Sequence, residues 1–214
     1  MIGCLGLLVI FIVLSPIFLG LVYFNAITVS FGRLGLTPEG AMLLFLASLV
    51  GGMINIPLSR RPILVQQQPF GYGRFFFRYP PQVREQVLAI NVGGAVIPIL
   101  FSLYLLPRAP LLPTLATALV VAAVCRAIAR PMPGVGITMP AFVPPLVTVA
   151  AALFFARGNA APVAYIGGTI GTLVGADLLN LPVVRRMPSQ LASIGGAGVF
   201  DGVFLVGVLS VLLT

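Results

Sequence analysis

Histidine, lysine and tryptophan are missing from this chain altogether, and its 214 residues include only four acids, Glu39, Glu85, Asp177 and Asp201. No serine–histidine triad, histidine-bearing zinc site or Schiff-base lysine can be assembled from such a set. The two cysteines, Cys4 and Cys125, lie in separate apolar stretches without metal-ligand spacing and read as small hydrophobes, so no metal or other cofactor is expected. Charge is scarce as well. With 7% of residues charged and 59% hydrophobic, the composition excludes an ordinary soluble domain and predicts one integral membrane domain over residues 1–214.

The apolar runs between Pro, Gly and Arg clusters predict an all-α polytopic protein of about seven transmembrane helices. They fall near residues 3–26, 38–57, 86–106, 111–129, 139–156, 162–182 and 192–213. The first resembles a signal peptide by position, yet it lacks a basic leader and its apolar run is too long, so it reads as a retained helix. The net charge of +8 comes from twelve arginines. They are spread over the loops that flank the spans, with no separate basic domain, which argues for membrane lipid as a partner and against nucleic acid. Nine of them follow spans two, four and six, while only Arg33, Arg108 and Arg157 follow spans one, three and five. That bias predicts a cytoplasmic N-terminus and a C-terminus outside.

The chain also resembles itself. Arg33, Pro38 and Gly51 recur 124 residues later as Arg157, Pro162 and Gly175, and Asn55-Ile-Pro-Leu-Ser-Arg-Arg61 recurs as Asn180-Leu-Pro-Val-Val-Arg-Arg186. Gly93-Gly94-Ala95 matches Gly195-Gly196-Ala197. Two parallel three-helix repeats are therefore expected, about 1–106 and 131–214, joined by a linker helix over about 107–130. The first copy carries a longer connection, rich in Arg and in the aromatics Phe70, Tyr72, Phe75, Phe76, Phe77 and Tyr79, which reads as a segment lying on the membrane surface.

The copies differ where chemistry is concerned, because both deeply placed acids belong to the second. The interval from Gly175 to Asn180 is one residue longer than that from Gly51 to Asn55, an insertion that a helix commonly absorbs as a π-bulge. Asp177 falls inside it. Spans six and seven, joined by a short turn, must run antiparallel, which puts Asp177 and Asp201 at similar depths. Three readings stand side by side. The acids share a proton and hydrolyse a peptide bond, they bind a cation or proton for transport through a small transporter or channel, or each is a protonated packing residue. Asn180, one turn from Asp177, is a candidate partner in cation or proton binding in the transport reading and a candidate substrate-positioning residue in the hydrolytic one.

The strings Gly175-Ala-Asp-Leu-Leu-Asn180, Ala192-Ser-Ile-Gly-Gly-Ala-Gly-Val-Phe-Asp-Gly202 and Met139-Pro-Ala-Phe-Val-Pro-Pro145 resemble a prokaryotic family of multi-pass membrane proteins of unknown function. That resemblance implies the inner membrane of a prokaryotic cell. A more distant one is to the intramembrane aspartyl proteases, the presenilins and signal peptide peptidases, which carry one Asp on each of two consecutive helices. It implies catalytic roles for Asp177 and Asp201, transmembrane peptides as substrates, and substrate-positioning roles for Gly198, which matches the first glycine of a Gly-x-Gly-Asp signature, and for Pro140, Ala141 and Phe142, which resemble a Pro-Ala-Leu element. Phe200 stands where that signature has its second glycine, Ala176 replaces a tyrosine, and the Pro-Ala element precedes the acids.

Two further features are independent of any resemblance. Five prolines between 131 and 145 make that stretch a poor continuous helix, so the entry to span five is expected to be broken or re-entrant. Gly167, Gly171 and Gly175, at four-residue spacing, predict close packing against a neighbouring helix.

Overall fold

A computed structural model of the protein describes residues 15, 20–22, 24–65, 82–132, 136–187 and 191–214, with the side chains at 64, 65, 82–84, 136, 197–202, 204 and 210 left outside that description. The first elements among the described residues are α1 (Gly20–Arg33) and α2 (Pro38–Gly51), bent by 111° at the intervening break. A hairpin of β1 (Asn55–Val65) and β2 (Gln82–Asn91) follows. Next come a π-turn (Val92–Val96), α3 (Ile97–Leu105) and α4 (Leu111–Ile128). The second half comprises β3 (Arg130–Met132), β4 (Gly136–Thr138), α5 (Val143–Phe155), α6 (Ala160–Thr172), α7 (Leu181–Val184), β5 (Leu191–Ile194) and α8 (Ala197–Leu213).

Helix α6 is the axis of the molecule. It touches α3, α4, α5 and α8, and continues through a π-turn (Leu173–Asp177) and a short 3-10 turn (Leu178–Asn180) into α7. The continuous run Ala160–Val184 has 25 residues, and at 1.5 Å per residue it is roughly 37 Å long. A helix surrounded by other helices gains nothing from bulky apolar side chains in the way a lipid-facing one does, so its contact faces are built from small residues. The glycine stripe fits this account. A Cβ on Gly167 would strike Thr117, one on Gly171 would strike Ala118 and Val121, and one on Gly175 would strike the Ala122 carbonyl, all on α4. Helix α4 turns its other face outward, exposing Leu112, Leu115 and Leu119.

Among the described residues two helices, α4 and the α6–α7 run, are long and apolar enough to cross a membrane, and α1 with α2 adds a third if the bent pair is one broken span. The all-α expectation needs correction, because strands replace helix at three of the expected spans. Span two ends at Gly51 and gives way to β1. Span three is β2 as far as Asn91, leaving nine residues of α3, and span seven opens as β5. Strands β1 and β2 are antiparallel from Asn55↔Asn91 to Val65↔Gln82, and β5 lies parallel to β2 from Val87↔Leu191 to Ile90↔Ile194. The physical reason lies in the sequence itself. Pro57 and Pro62 forbid a helix through β1, and short runs such as Val87-Leu-Ala-Ile90 satisfy a buried strand as well as a helix.

The described residues of the proline-rich entry to α5 are not helical: β3 and β4 pair antiparallel there, ahead of a turn at Ala141 and Phe142. Most of the expected first span, and the aromatic–arginine stretch within 66–81, lie outside the described residues, whereas α1 runs on to Arg33.

If small residues set the α4–α6 spacing, Gly175→Ala should lower stability by about 1–3 kcal/mol through forced separation of the two helices. Gly158→Ala, whose added Cβ would meet nothing within 4 Å, should leave it unchanged. Equilibrium unfolding in detergent checks both.

Candidate functional site

Asp177 closes the π-turn of the central helix and is 2% exposed. A π-turn widens the helix by one residue and leaves carbonyls without their usual donors. Asn180 supplies replacements, its Nδ2 donating to Ala176 O at 2.9 Å and to Gly175 O at 3.3 Å. The insertion visible in the sequence is thus the π-turn, and Asn180 holds its backbone in place. That side chain is turned toward its own helix.

The Asp177 carboxylate has a specific donor. Its Oδ2 accepts a 2.7 Å hydrogen bond from the Gly195 N–H, in the turn between β5 and α8. Gly195 has φ +69°, a conformation that a residue with a Cβ adopts at a cost. Its added Cβ would also lie 2.7 Å from Gly94 C and 2.8 Å from Ala95 Cβ, so the turn is pressed onto the matching glycine pair of the first half.

Asp201 belongs to the second turn of α8, and its side chain is among those outside the description. The backbone level of residue 201 nevertheless follows from its neighbours. Going along α8 toward its start, Gly207 packs on Tyr165, Val206 on Gly168, and Val203 joins a cluster with Leu173 and Ala95. This is antiparallel register, and continuing it by one turn sets residue 201 within about one helical turn, roughly 5 Å, of the level of Asp177. Gly198 sits in the first turn of α8, and its surroundings fall under the same omission.

The other predicted positions lie around this centre. Met139 and Ile137 pack with Ala176, Cys125 and Val121, so the segment leading to Pro140 abuts the residue before Asp177. Pro140 itself is exposed and lines a cleft of about 540 Å³ with Arg130, Thr138 and Met139. Ala141 is half-buried, and Phe142 points outward at 66% exposed. The structure therefore packs Ile137 and Met139, ahead of the Pro-Ala pair, in the cluster of Ala176, while Pro140 and the Phe142 ring are exposed.

Sequence reasoning missed the polar cluster that ties the sheet to the helices. Asn91 Oδ1 accepts from Gly94 N at 2.7 Å, its Nδ2 donates to Gly52 O at 2.7 Å and to Asn55 Oδ1 at 3.2 Å, and Ser193 Oγ donates to the same Asn55 oxygen at 2.5 Å. Gln86 donates to Val184 O and Met187 O, fastening β2 to the end of α7. The available signal was the placement of Asn55 and Asn91 beside glycine pairs, where an amide commonly caps a turn. Among the described residues no group of three or more Cys, Asp or Glu side chains could hold a metal ion.

The chain belongs to the DUF1614 family, a protein family of unknown function whose model matches residues 49–213 and so takes in both strand-to-helix glycine junctions and both acids. Comparison with curated proteins and with solved structures found no match.

The Gly195–Asp177 bond predicts a distinct pattern of stabilities. Asp177→Asn keeps an acceptor oxygen and should unfold close to wild type, whereas Asp177→Ala strands the buried N–H and should cost about 1–3 kcal/mol. Denaturant titration of the two variants side by side separates them.

Proposed function

We propose that the protein is an intramembrane aspartyl peptidase in which Asp177 and Asp201 hydrolyse a peptide bond of a membrane-embedded substrate. The observation that carries this reading is the junction at Gly195. The carboxylate of one acid is bonded to the turn from which the other acid's helix starts, and the antiparallel register of α6 and α8 supports backbone levels within about one helical turn of each other. Two carboxyl groups held close share a proton, since like charges at short range do not both ionise. The ionised member then takes a proton from water as that water attacks the substrate carbonyl carbon, and the protonated member gives its proton to the carbonyl oxygen. Collapse of the resulting gem-diol returns a proton to the amide nitrogen as the carbon–nitrogen bond breaks.

The distant resemblance to presenilins and signal peptide peptidases adds to this reading through the same two acids and through a Pro-Ala element that directly follows Met139, a residue packed in the cluster of Ala176. The π-turn adds to it as well, because irregular turns inside helices concentrate at functional positions.

The fuller membrane architecture belongs to the same proposal: seven crossings of a prokaryotic inner membrane, N-terminus inside and C-terminus outside, with a duplicated unit. The parallel pairing of β2 with β5 supports the duplication, since each strand runs through a Gly-Gly-Ala junction into a helix. Asn55 and Asn180 are less alike, one opening a strand and the other buried in a 3-10 turn. The second copy has kept helix where the first has strand.

Asp177→Asn and Asp201→Asn should each abolish cleavage of labelled transmembrane peptides in liposomes while leaving the protein folded, and the double variant should be no worse than either single one. Wild-type activity should trace a bell against pH, falling on the acid side when both groups are protonated and on the alkaline side when neither is. Cleavage surviving in the double variant, or ion flux that depends on the acids with no cleavage by the wild type, would overturn the peptidase reading. For orientation, Met187→Cys in a background lacking Cys4 and Cys125 should resist an impermeant thiol reagent applied to intact cells and react once the cells are opened.

A further inference from the structure

At the opposite end of the helix bundle from Asp177, a cleft of about 370 Å³ opens between the end of α1, the 3-10 turn after α3 and the start of α6. This volume is in the range of small-ligand sites, roughly 300–1,000 Å³. Its polar lining comes from Arg33, Arg108 and Asn159. Both guanidinium groups are held in place. Arg108 donates through Nη1 to Leu34 O at 3.1 Å and through Nη2 to Tyr104 Oη at 2.8 Å, and it lies 4.7 Å over the Tyr104 ring. Asn159 donates to Arg108 O at 2.8 Å, fixing the same turn from the other side. Gly35, at φ +83°, leaves room for the guanidinium, since an added Cβ would sit 3.0 Å from Arg108 Nη1. Arg33 donates to Val211 O and Leu212 O at the end of α8.

These partners are neutral carbonyls and a phenol. Among the described residues no aspartate or glutamate lines the cleft, and none of the bonds above is made to a side-chain carboxylate. Glu39, the acid nearest in sequence, does not line the cleft. Each guanidinium carries five N–H donors, and the bonds above use only part of that supply. Two fixed forks of like charge facing one cleft repel each other until an anion enters, and a planar fork suits the oxygens of a phosphate group.

We propose that this cleft binds a phosphate group, with the headgroup of an anionic phospholipid as the source its position favours. The cleft lies where α1 and α8 end and α6 begins, the level at which a bundle of spanning helices meets headgroups, and basic pockets between such helices hold lipid phosphates. This inference stands on the arginine pair and does not depend on the peptidase reading.

The test follows phenylglyoxal modification of individual arginines by mass spectrometry in the wild-type protein. It compares the protein in micelles of a phosphate-free maltoside detergent, the same micelles with inorganic phosphate added, and the same micelles with phosphatidylglycerol added. Arg33 and Arg108 should react several-fold more slowly when the phosphate source is present. Arg157, exposed in the α5–α6 connection and outside the cleft, should keep its rate. Protection by phosphatidylglycerol alone identifies a lipid headgroup, and protection by inorganic phosphate identifies a free phosphate. Equal rates in all three conditions, or slowing that includes Arg157 to the same extent, would overturn the proposal. Arg108→Gln should in addition lower retention of phosphatidylglycerol in native mass spectrometry by about tenfold, the loss of one charge-assisted fork.

Discussion

A carboxyl group buried toward one end of a helical bundle needs a donor, and here the donor is the backbone N–H of Gly195. The Gly195 N–H reaches Asp177 only because the chain leaves β5 in a left-handed turn, and that turn fits only because it rests on the bare backbone of Gly94. The sheet, the glycine junctions and the irregular central helix are thereby tied to one point. Strand β2 holds β5, β5 delivers Gly195, Gly195 holds Asp177, and the π-turn with its Asn180 bonds lets Asp177 face that way.

The same reasoning accounts for the uneven composition of the helices. Helix α4 spends its outer face on leucines, whereas the α6–α7 run is rich in Gly, Ala and Thr and is the more deeply buried of the two long helices. Close approach through glycine replaces apolar area as the source of cohesion, and it also makes the interface intolerant of a single added methyl group. A rigid, closely packed centre is what a site needs if two acids on separate helices are to keep a fixed relation.

Some of this was legible in the sequence. The two long helices follow from their apolar length, the glycine stripe from its spacing, and the π-turn from one residue of excess between Gly175 and Asn180. The strands were not legible, because hydropathy reports burial and not backbone geometry, and a run such as Val87-Leu-Ala-Ile90 reads as either. The partnership of β2 with β5 joins segments about a hundred residues apart, and a single chain carries no local mark of such pairing. The donor to Asp177 was invisible for a different reason. Gly-Gly-Ala reads as packing in a helix, and nothing in a glycine's identity announces that its N–H will be aimed at an acid. In the sequence the arginines at the far end mark orientation, and Arg33 a repeat position as well, with no sign that Arg33 and Arg108 are each engaged with specific carbonyls.

The claim on which the functional account turns is that Asp177 and Asp201 face one another across α6 and α8. Cysteines placed at 177 and 201, in a chain freed of Cys4 and Cys125, measure this with a bifunctional thiol reagent spanning about 8 Å, the reach of two carboxyl groups bridged by one water. The account predicts an intramolecular cross-link in good yield. Two thiols that each react with a monofunctional reagent and yet never cross-link would contradict it.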